Sequence, residues 1–143
     1  MIKIEFPLKP FRLRMENGAE QIFDASRKRW LVNTPEEWVR QNMLQYLESL
    51  GYPSSLTAIE KEIFLGELKK RCDIVVYDRS ANPWMIIECK EMNVKLNSDV
   101  LDQVLRYHMS IPCPYLVITN GSHCFGFTKR RGELLEINEF PAY

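Results

Sequence analysis

Two short apolar runs on either side of a turn place the strongest limit on how this chain folds. Cys72–Tyr77 is rich in Val and Ile, and Trp84–Lys90 is apolar until it ends in Glu-Cys-Lys. Runs of this length and composition predict buried strands, and the segment Arg79–Pro83 between them predicts a turn. We therefore expect these two strands to lie inside a sheet with helices packed against it.

Length and charge narrow the class of protein. The chain has 143 residues, of which 45% are hydrophobic and 27% are charged. These values predict a single globular domain over residues 1–143. Because 19 basic residues balance 19 acidic ones, a protein that coats nucleic acid by charge alone is not expected. An enzyme whose acidic site is offset by a basic rim remains compatible with this balance.

The compartment is expected to be the cytoplasm, without membrane association. No apolar run approaches the ~20 residues of a membrane span, and the first residues lack the pattern of a signal peptide. The four cysteines have no CxxC spacing, which disfavours a zinc site and favours reduced, buried thiols.

The remaining segments predict two helices and further strands. Thr34-Pro35-Glu36-Glu37 predicts a helix start with a capping box, and Gly51 predicts its end. A second helix, capped by Ser98, is predicted to follow the apolar strands. The other predicted elements are strands Ala58–Leu65, Tyr115–Thr119, His123–Thr128 and Glu133–Ile137, and turns at Asn17-Gly18, Gly66–Lys70 and Asn120-Gly121. This order predicts an α/β or α+β layer with a crossover helix.

Charged residues end both apolar strands. Residues two apart share a face of a strand, so Glu88 and Lys90 point the same way and Cys89 points the other way. If the two strands form a hairpin, Asp73 at the start of the first lies beside Glu88 at the end of the second. Charges in buried strands are costly unless they are paired or bind a metal. The alternative is that Asp73, Glu88 and Lys90 form only a structural cluster of ion pairs at the sheet edge.

Metal-assisted hydrolysis of a phosphodiester is the chemistry that fits these residues. Two carboxylates supply the hard oxygen ligands that Mg²⁺ prefers, with Mn²⁺ as the expected substitute. Lys90 is then a point charge or proton handler near the scissile phosphate.

The segments around these residues resemble a known family. Asp73 and Glu88-Cys89-Lys90 match the motif of the PD-(D/E)xK nuclease superfamily. The match is closer to the N-terminal nuclease domain of type I restriction enzyme R subunits and its small free-standing relatives. Five segments look like that family in its order: TPEEWVRQ at 34–41, KRCDIVVYD at 70–78, IIECKE at 86–91, LDQVLRYH at 101–108 and YLVITNG at 115–121.

The resemblance implies a fold and a division of the chain. The implied fold is α/β, with a restriction-endonuclease-like αβββαβ core, a mixed central sheet flanked by helices, and a C-terminal hairpin. The family-like core covers residues 22–121, between an N-terminal lead at 1–21 and C-terminal strands at 122–143. The lead lies outside the resemblance, which assigns it no role.

The resemblance also implies roles for individual residues. Asp73 and Glu88 are implied metal ligands, Glu37 is a further acidic contributor, and Lys90 is the catalytic lysine. Gln103 is implied to be a catalytic residue on the second helix. For Glu37 the capping box is an equally open explanation.

Candidate DNA contacts are Arg71, Tyr107 and the cluster Lys129, Arg130 and Arg131. Tyr107 lies one helical turn after Gln103, so the two share a helix face. Arg71 has the alternative of pairing with an acid. The cluster at 129–131 has the alternative of a solvated turn, and His108 is interpreted as a helix-face residue without a site role.

Two functions from different classes remain open. The first is a Mg²⁺-dependent deoxyribonuclease of a restriction or DNA-defence system. The second is a catalytically silent module that binds DNA or assembles a restriction or repair complex. The chain lacks the GxxxxGK[ST] phosphate loop of a motor, so a motor or specificity protein is expected to act in trans. A homodimer is the expected arrangement if both strands of a duplex are cut.

Overall fold

A computed structural model describes all 143 residues. The strands are β1 (Ile2–Lys3), β2 (Leu13–Glu16), β3 (Ala19–Asp24), β4 (Arg29–Val32), β5 (Thr57–Leu65), β6 (Leu68–Tyr77), β7 (Pro83–Cys89), β8 (Tyr115–Thr119), β9 (His123–Arg130) and β10 (Glu133–Ile137). The helices are α1 (Pro35–Ser49) and α2 (Ser98–His108), with a short 3-10 helix at Ser54–Leu56.

The strands form two sheets. The larger has seven strands in the order β1-β9-β8-β7-β6-β5, with β10 also paired to β9. Its pairs are antiparallel except β7 with β8, which are parallel. Parallel neighbours need a crossover connection, and α2 supplies it. The predicted α/β class, with a mixed sheet and two helices, is confirmed.

The helices cover opposite faces of the large sheet. On one face, Val39, Met43 and Leu47 of α1 pack in a cluster with Ile74, Ile87 and other sheet residues. On the other face, Val75 and Ile86 pack with Ile111 and with Leu105 of α2. The two apolar runs therefore form buried central strands, as predicted. Neither helix is long and apolar enough to cross a membrane.

The first helix begins as predicted, but its capping box is only half formed. The Glu37 N–H donates to Thr34 Oγ1 at 3.1 Å. The Glu37 carboxylate does not return to Thr34, because arginines and Gln41 hold it. Gly51 follows the helix with φ +85°, which suits a glycine at this position.

Two predicted boundaries are wrong by a few residues. The second helix is capped by Asn97 rather than Ser98, because Asn97 Oδ1 accepts the Val100 N–H at 3.0 Å. The turn predicted over Gly66–Lys70 is confined to Gly66 and Glu67, and β6 already begins at Leu68. The tight turn lets ladder hydrogen bonds continue through the exposed, charged start of β6.

The lead contains more structure than the sequence indicated. β2, β3 and β4 form a separate antiparallel sheet, with Asn17 and Gly18 as the predicted turn between β2 and β3. Both turn residues have positive φ, at 51° and 79°, as a tight hairpin turn requires. The inner face of this sheet carries Ile22 and Asp24, which are fully buried.

The C-terminal strands hold the end of α2. The Lys129 ammonium donates to the carbonyl oxygens of His108, Met109 and Ile111 at 3.5, 3.1 and 2.6 Å. Burial lowers the pKa of Lys129. A cation at a helix C-terminus interacts favourably with the helix dipole. This side chain therefore fastens α2 to β9.

Replacing Lys129 is expected to loosen this connection. Lys129→Met removes the donor but keeps most of the apolar stem, and should lower the free energy of unfolding by about 1–3 kcal/mol. Urea denaturation followed by circular dichroism measures the change. The exposed neighbour serves as control: Arg130→Met should stay within about 0.5 kcal/mol of wild type, and an equal loss in both variants would contradict the assignment.

Candidate functional site

The two predicted carboxylates lie on neighbouring strands. Continuing the pairing of Ile74 with Ile87 puts Asp73 of β6 across from Glu88 of β7. At this point a side chain replaces a ladder bond, because the Cys89 N–H donates to Asp73 Oδ2 at 2.8 Å. The strands therefore hold both carboxylates at the end of the buried part of the sheet.

Lys90 joins this pair directly after β7. Its Nζ lies 3.7 Å from Glu88 Oε1, and its backbone N–H donates to the Thr119 carbonyl at 2.8 Å. Cys89 is on the other face, in the core cluster with Val39. The structure thus brings Asp73, Glu88 and Lys90 together with the alternation that the sequence predicts.

Burial and a neighbouring carboxylate disfavour the charged form of Asp73. The Asp73 side chain is 16% exposed. Burial first, and the charge of Glu88 second, raise the pKa of Asp73 to about 6, against the opposing effects of the Cys89 N–H and Arg40. A group held in this way favours a proton or another cation. Its donor set of hard oxygens fits a divalent metal such as Mg²⁺.

An arginine of α1 supplies the cation nearest to Asp73. Arg40 Nη2 lies 3.3 Å from Asp73 Oδ1, and its Nη1 donates to Glu37 Oε2. Burial acts to lower the pKa of Arg40, but Glu37 and Asp73 outweigh it and the pKa is raised. The sequence interpretation missed Arg40, although its spacing three residues after Glu37 is the signal for an ion pair on one helix face.

A second arginine extends the network to the small sheet. Arg27 pairs with Asp24 at 2.5 Å, Glu37 at 2.8 Å and Glu60 at 2.9 Å. Burial raises the pKa of Asp24, but hydrogen bonds from Arg27 and Gln41 outweigh it and the pKa is lowered. Arg27 therefore connects the small sheet to α1 and β5.

Glu37 is thus engaged by cations and an amide. Arg27, Arg40 and Gln41 all donate to its carboxylate. No group of three or more His, Cys, Asp and Glu side chains is arranged to hold a metal ion. The predicted three-carboxylate ligand set is not assembled, and the role of Glu37 as a metal ligand stays a prediction.

Glu60 is a further acidic residue that the sequence interpretation left unassigned. It has φ +50°, in the left-handed region that non-glycine residues rarely adopt. Its carboxylate lies within ion-pair distance of Arg27, Arg40 and Arg71. The strained residue therefore places an acid among three arginines beside the candidate site.

His108 contacts the site from the opposite helix. Its side chain is 1% exposed, and its Nε2 lies 3.4 Å from Glu88 Oε2. Its Nδ1 lies 3.9 Å from Cys72 Sγ, and burial together with the charges of Glu88 and Asp73 raises the pKa of Cys72 to about 12. The interpretation of His108 as a helix-face residue missed this contact. The signal was its spacing four residues after Val104, the other buried residue of α2.

The remaining candidates on α2 and β6 lie at the border of the site. Gln103 is exposed and makes no hydrogen bond to the carboxylate pair. The Tyr107 hydroxyl accepts the Arg71 N–H at 3.2 Å, and the Lys70 ammonium lies 4.3 Å from the centre of the Tyr107 ring. The Arg71 guanidinium pairs with Glu60 at 3.2 Å, as its alternative interpretation anticipated.

The cluster Lys129, Arg130 and Arg131 does not lie beside Asp73 and Glu88. In the strand register, Thr128 pairs with Tyr115 and Tyr115 with Met85. Met85 is at the far end of β7 from Glu88, so the cluster follows the opposite end of the sheet. Lys129 is engaged with carbonyl groups there, which leaves Arg130 and Arg131 as the exposed cations.

Fold and site together define an α/β domain with an acidic candidate site at the end of its central strands. The model of the type I restriction enzyme R protein N terminus family matches residues 35–141. The chain therefore belongs to this family, which confirms the resemblance. None of the curated proteins compared with the chain matches it. The matched range begins and ends later than the expected 22–121, so it includes the C-terminal strands and leaves out the small sheet.

Removing the charge of Asp73 is expected to stabilise the protein above pH 6. An acid whose pKa is raised on folding contributes stability that is complete below its unfolded pKa near 3.8 and is lost as pH rises through about 6. Asp73→Asn should therefore match wild type near pH 4 and exceed it by on the order of 2 kcal/mol above pH 6.

Urea denaturation across this pH range measures the difference. The exposed Asp102→Asn on α2 is the matched control, and it should show no such pH-dependent gain. A constant difference between Asp73→Asn and wild type at every pH would contradict the proposed origin of the shift.

Proposed function

We propose that this chain hydrolyses DNA phosphodiester bonds in a metal-dependent reaction of the PD-(D/E)xK type, as part of a restriction system. One observation carries the proposal. Asp73 and Glu88 lie across from each other on neighbouring strands with a lysine next to Glu88, and burial together with the charge of Glu88 raises the pKa of Asp73. Membership of the restriction enzyme R protein family supports the same function.

The order of elements supports a restriction-endonuclease-like core. From α1 to β8 the chain runs helix, three strands, helix, strand. The two carboxylates belong to the second and third of those strands. This order is compatible with the αβββαβ core that the resemblance implies, which supports the proposal.

Asp73 and Glu88 would hold the metal ion, Mg²⁺ or Mn²⁺. When bound, the metal supplies charge stabilisation for the phosphate and lowers the pKa of a bound water. Arg40 donates to both Glu37 and Asp73. Glu37 is therefore the carboxylate of α1 that we propose as a further metal ligand. In our proposal Arg40 would pair with Glu36, Glu37 and Glu60 instead of Asp73 if Asp73 held the metal. Arg40 already lies within 4.0 Å of all three carboxylates.

Lys90 would act on the reacting phosphate. Its ammonium lies on the same face as Glu88 and is partly exposed, so it is accessible to a substrate oxygen. We assign it to hold the scissile phosphate or to handle the proton of the attacking water. His108, by donating to Glu88, would keep that carboxylate oriented.

The DNA backbone is proposed to cross the border formed by α2 and the start of β6. Arg71 and Tyr107 are exposed there, with Gln103 one helical turn earlier than Tyr107. Arg130 and Arg131 would contact DNA only at a distance from the reacting phosphate. From membership of the R protein family we further propose that the chain acts with a motor or specificity protein, or as a dimer with a second copy of itself.

A catalytically silent module is the second candidate, and one observation favours it. Arg40 spans Asp73 and Glu37, and no three-ligand metal group is formed. A protein that has given up catalysis would keep such an arginine as a permanent counter-ion. In that case the chain would bind DNA or a restriction subunit without turnover.

Metal-dependent cleavage separates the two candidates. Wild type is expected to nick or cut plasmid DNA with Mn²⁺ or Mg²⁺, and EDTA should abolish this. Asp73→Asn and Lys90→Ala should each lose at least 100-fold in rate, which is the usual scale for a residue that acts in the reaction. Calorimetric titration with Mn²⁺ adds a second readout: binding should vanish in Asp73→Asn and persist in Lys90→Ala.

Lys95→Ala is the matched control, because Lys95 is an exposed lysine five residues beyond Lys90. It should cleave at the wild-type rate. Cleavage by Asp73→Asn at the wild-type rate would overturn the assignment of the site. Absence of both Mn²⁺ binding and cleavage in wild type, with DNA present, would favour the silent module.

A further inference from the structure

The outer face of the small sheet is a row of arginines and aromatic rings. Phe23 of β3 pairs with Trp30 of β4, and the Phe23 N–H donates to the Arg12 carbonyl on the other side. Arg14 pairs with Gln21 of β3 in the next row. Residues directly opposite or two apart share a face, so the arginines and rings lie together.

The arginine guanidinium groups lie over these rings, and Arg14 Nε also donates to Gln21 Oε1 at 2.8 Å. The Arg12 guanidinium is 4.5 Å from the centre of the Phe23 ring, and the Arg14 guanidinium is 4.4 Å from that of Trp30. The two rings meet edge to face at 5.3 Å. Such stacking holds the arginine planes in place while their N–H groups remain available at the edges.

Little negative charge offsets this surface. Arg12 has no carboxylate within 4.0 Å, and Arg14 has only Glu16, at 4.0 Å. Residues 1–33 contain seven Lys and Arg against four Asp and Glu, a net charge of +3 in a chain of zero net charge. Asp24, one of the four acids, lies buried on the inner side, with Arg27. The outer face is therefore positive, with Arg12 and Arg14 exposed and the Phe23 and Trp30 rings half-buried beneath them.

We propose that this outer face, formed by Arg12, Arg14, Phe23 and Trp30, binds single-stranded DNA. Bases stack on aromatic rings and on guanidinium planes, and arginine N–H groups contact phosphate oxygens. A duplex covers its base faces by its own stacking and offers only phosphates. The alternation of rings and cations therefore fits an unpaired strand better than a duplex.

The location connects this surface to the candidate active site. Arg29 and Val32 of β4 line the same open groove as Glu37 and Arg40 of α1. The groove extends from Val32, which shares the outer face with Trp30, to Arg40, and Arg40 contacts Asp73. Delivery of the strand to the site rests on the proposed function, whereas binding does not.

Binding is tested in EDTA, so that no cleavage occurs. The probe is a labelled oligothymidylate of about 15 nucleotides, a length within the usual footprint of such surfaces, and the readouts are fluorescence anisotropy and salt dependence. Arg12→Gln with Arg14→Gln should weaken binding at least tenfold and make the slope of log K against log salt about 1.4 units less steep, as expected for two lost phosphate contacts. Trp30→Leu should weaken binding about tenfold with an unchanged salt slope.

The matched control is Arg79→Gln with Lys95→Gln, which removes the same charge from exposed positions outside every proposed site and should leave binding within twofold of wild type. Circular dichroism and thermal melting verify that each variant is folded. Equal loss in the control pair, no binding by wild type, or tighter binding of the duplex than of the single strand would each overturn the proposal. Binding of oligouridylate tenfold tighter than oligothymidylate would overturn its assignment to DNA.

Failure of this proposal is distinguishable from failure of the proposed function. If wild type cleaves DNA and the surface variants neither weaken binding nor slow cleavage, the surface assignment fails alone. If the surface variants weaken binding and wild type never cleaves with Mn²⁺, the nuclease assignment fails and the binding surface stands.

Discussion

The hydrogen bond from the Cys89 backbone to the Asp73 carboxylate is the interaction on which the candidate site depends. It takes the place of a ladder bond just where β6 and β7 stop pairing regularly. A carboxylate in this position is fixed by the sheet rather than by its own side-chain conformation. Glu88 is held on the adjacent strand, so the two acids keep their separation without any loop to position them. Burial and mutual repulsion, which raise the pKa of Asp73, are consequences of this arrangement.

Arginines from α1 and the small sheet balance the acids around that pair. Arg40 and Arg27 are partly or wholly buried, and each contacts several carboxylates. Ion pairs of this kind recover only part of the cost of removing charges from water. They are therefore poor candidates for stabilising devices. They connect α1, β5 and the small sheet in one network of charges.

The sequence predicted the central elements and the central acids because both follow from local patterns. Apolar runs identify β6 and β7, and alternation places Glu88 and Lys90 on one face and Cys89 on the other. His108 and Arg40 were missed because their roles depend on which helix face meets the sheet. The small sheet was missed apart from its Asn17-Gly18 turn, since all of β2 is exposed and lacks the apolar alternation of a core strand. The prediction that Ser98 caps α2 was wrong because Asn97, one residue earlier, is an equally good N-cap residue.

The Arg27 contacts have a consequence for how this chain evolves. Arg27 lies before the range that matches the family, whereas Glu37 lies within it. Losing Arg27 would leave Asp24 buried without its ion-pair partner, whereas Glu37 would keep Arg40 and Gln41. Substitutions at Arg27 and Asp24 are expected to be inherited together. A homologue that lacks the small sheet would lose Arg27 and Asp24 together, and Arg40 and Gln41 would remain as the partners of Glu37.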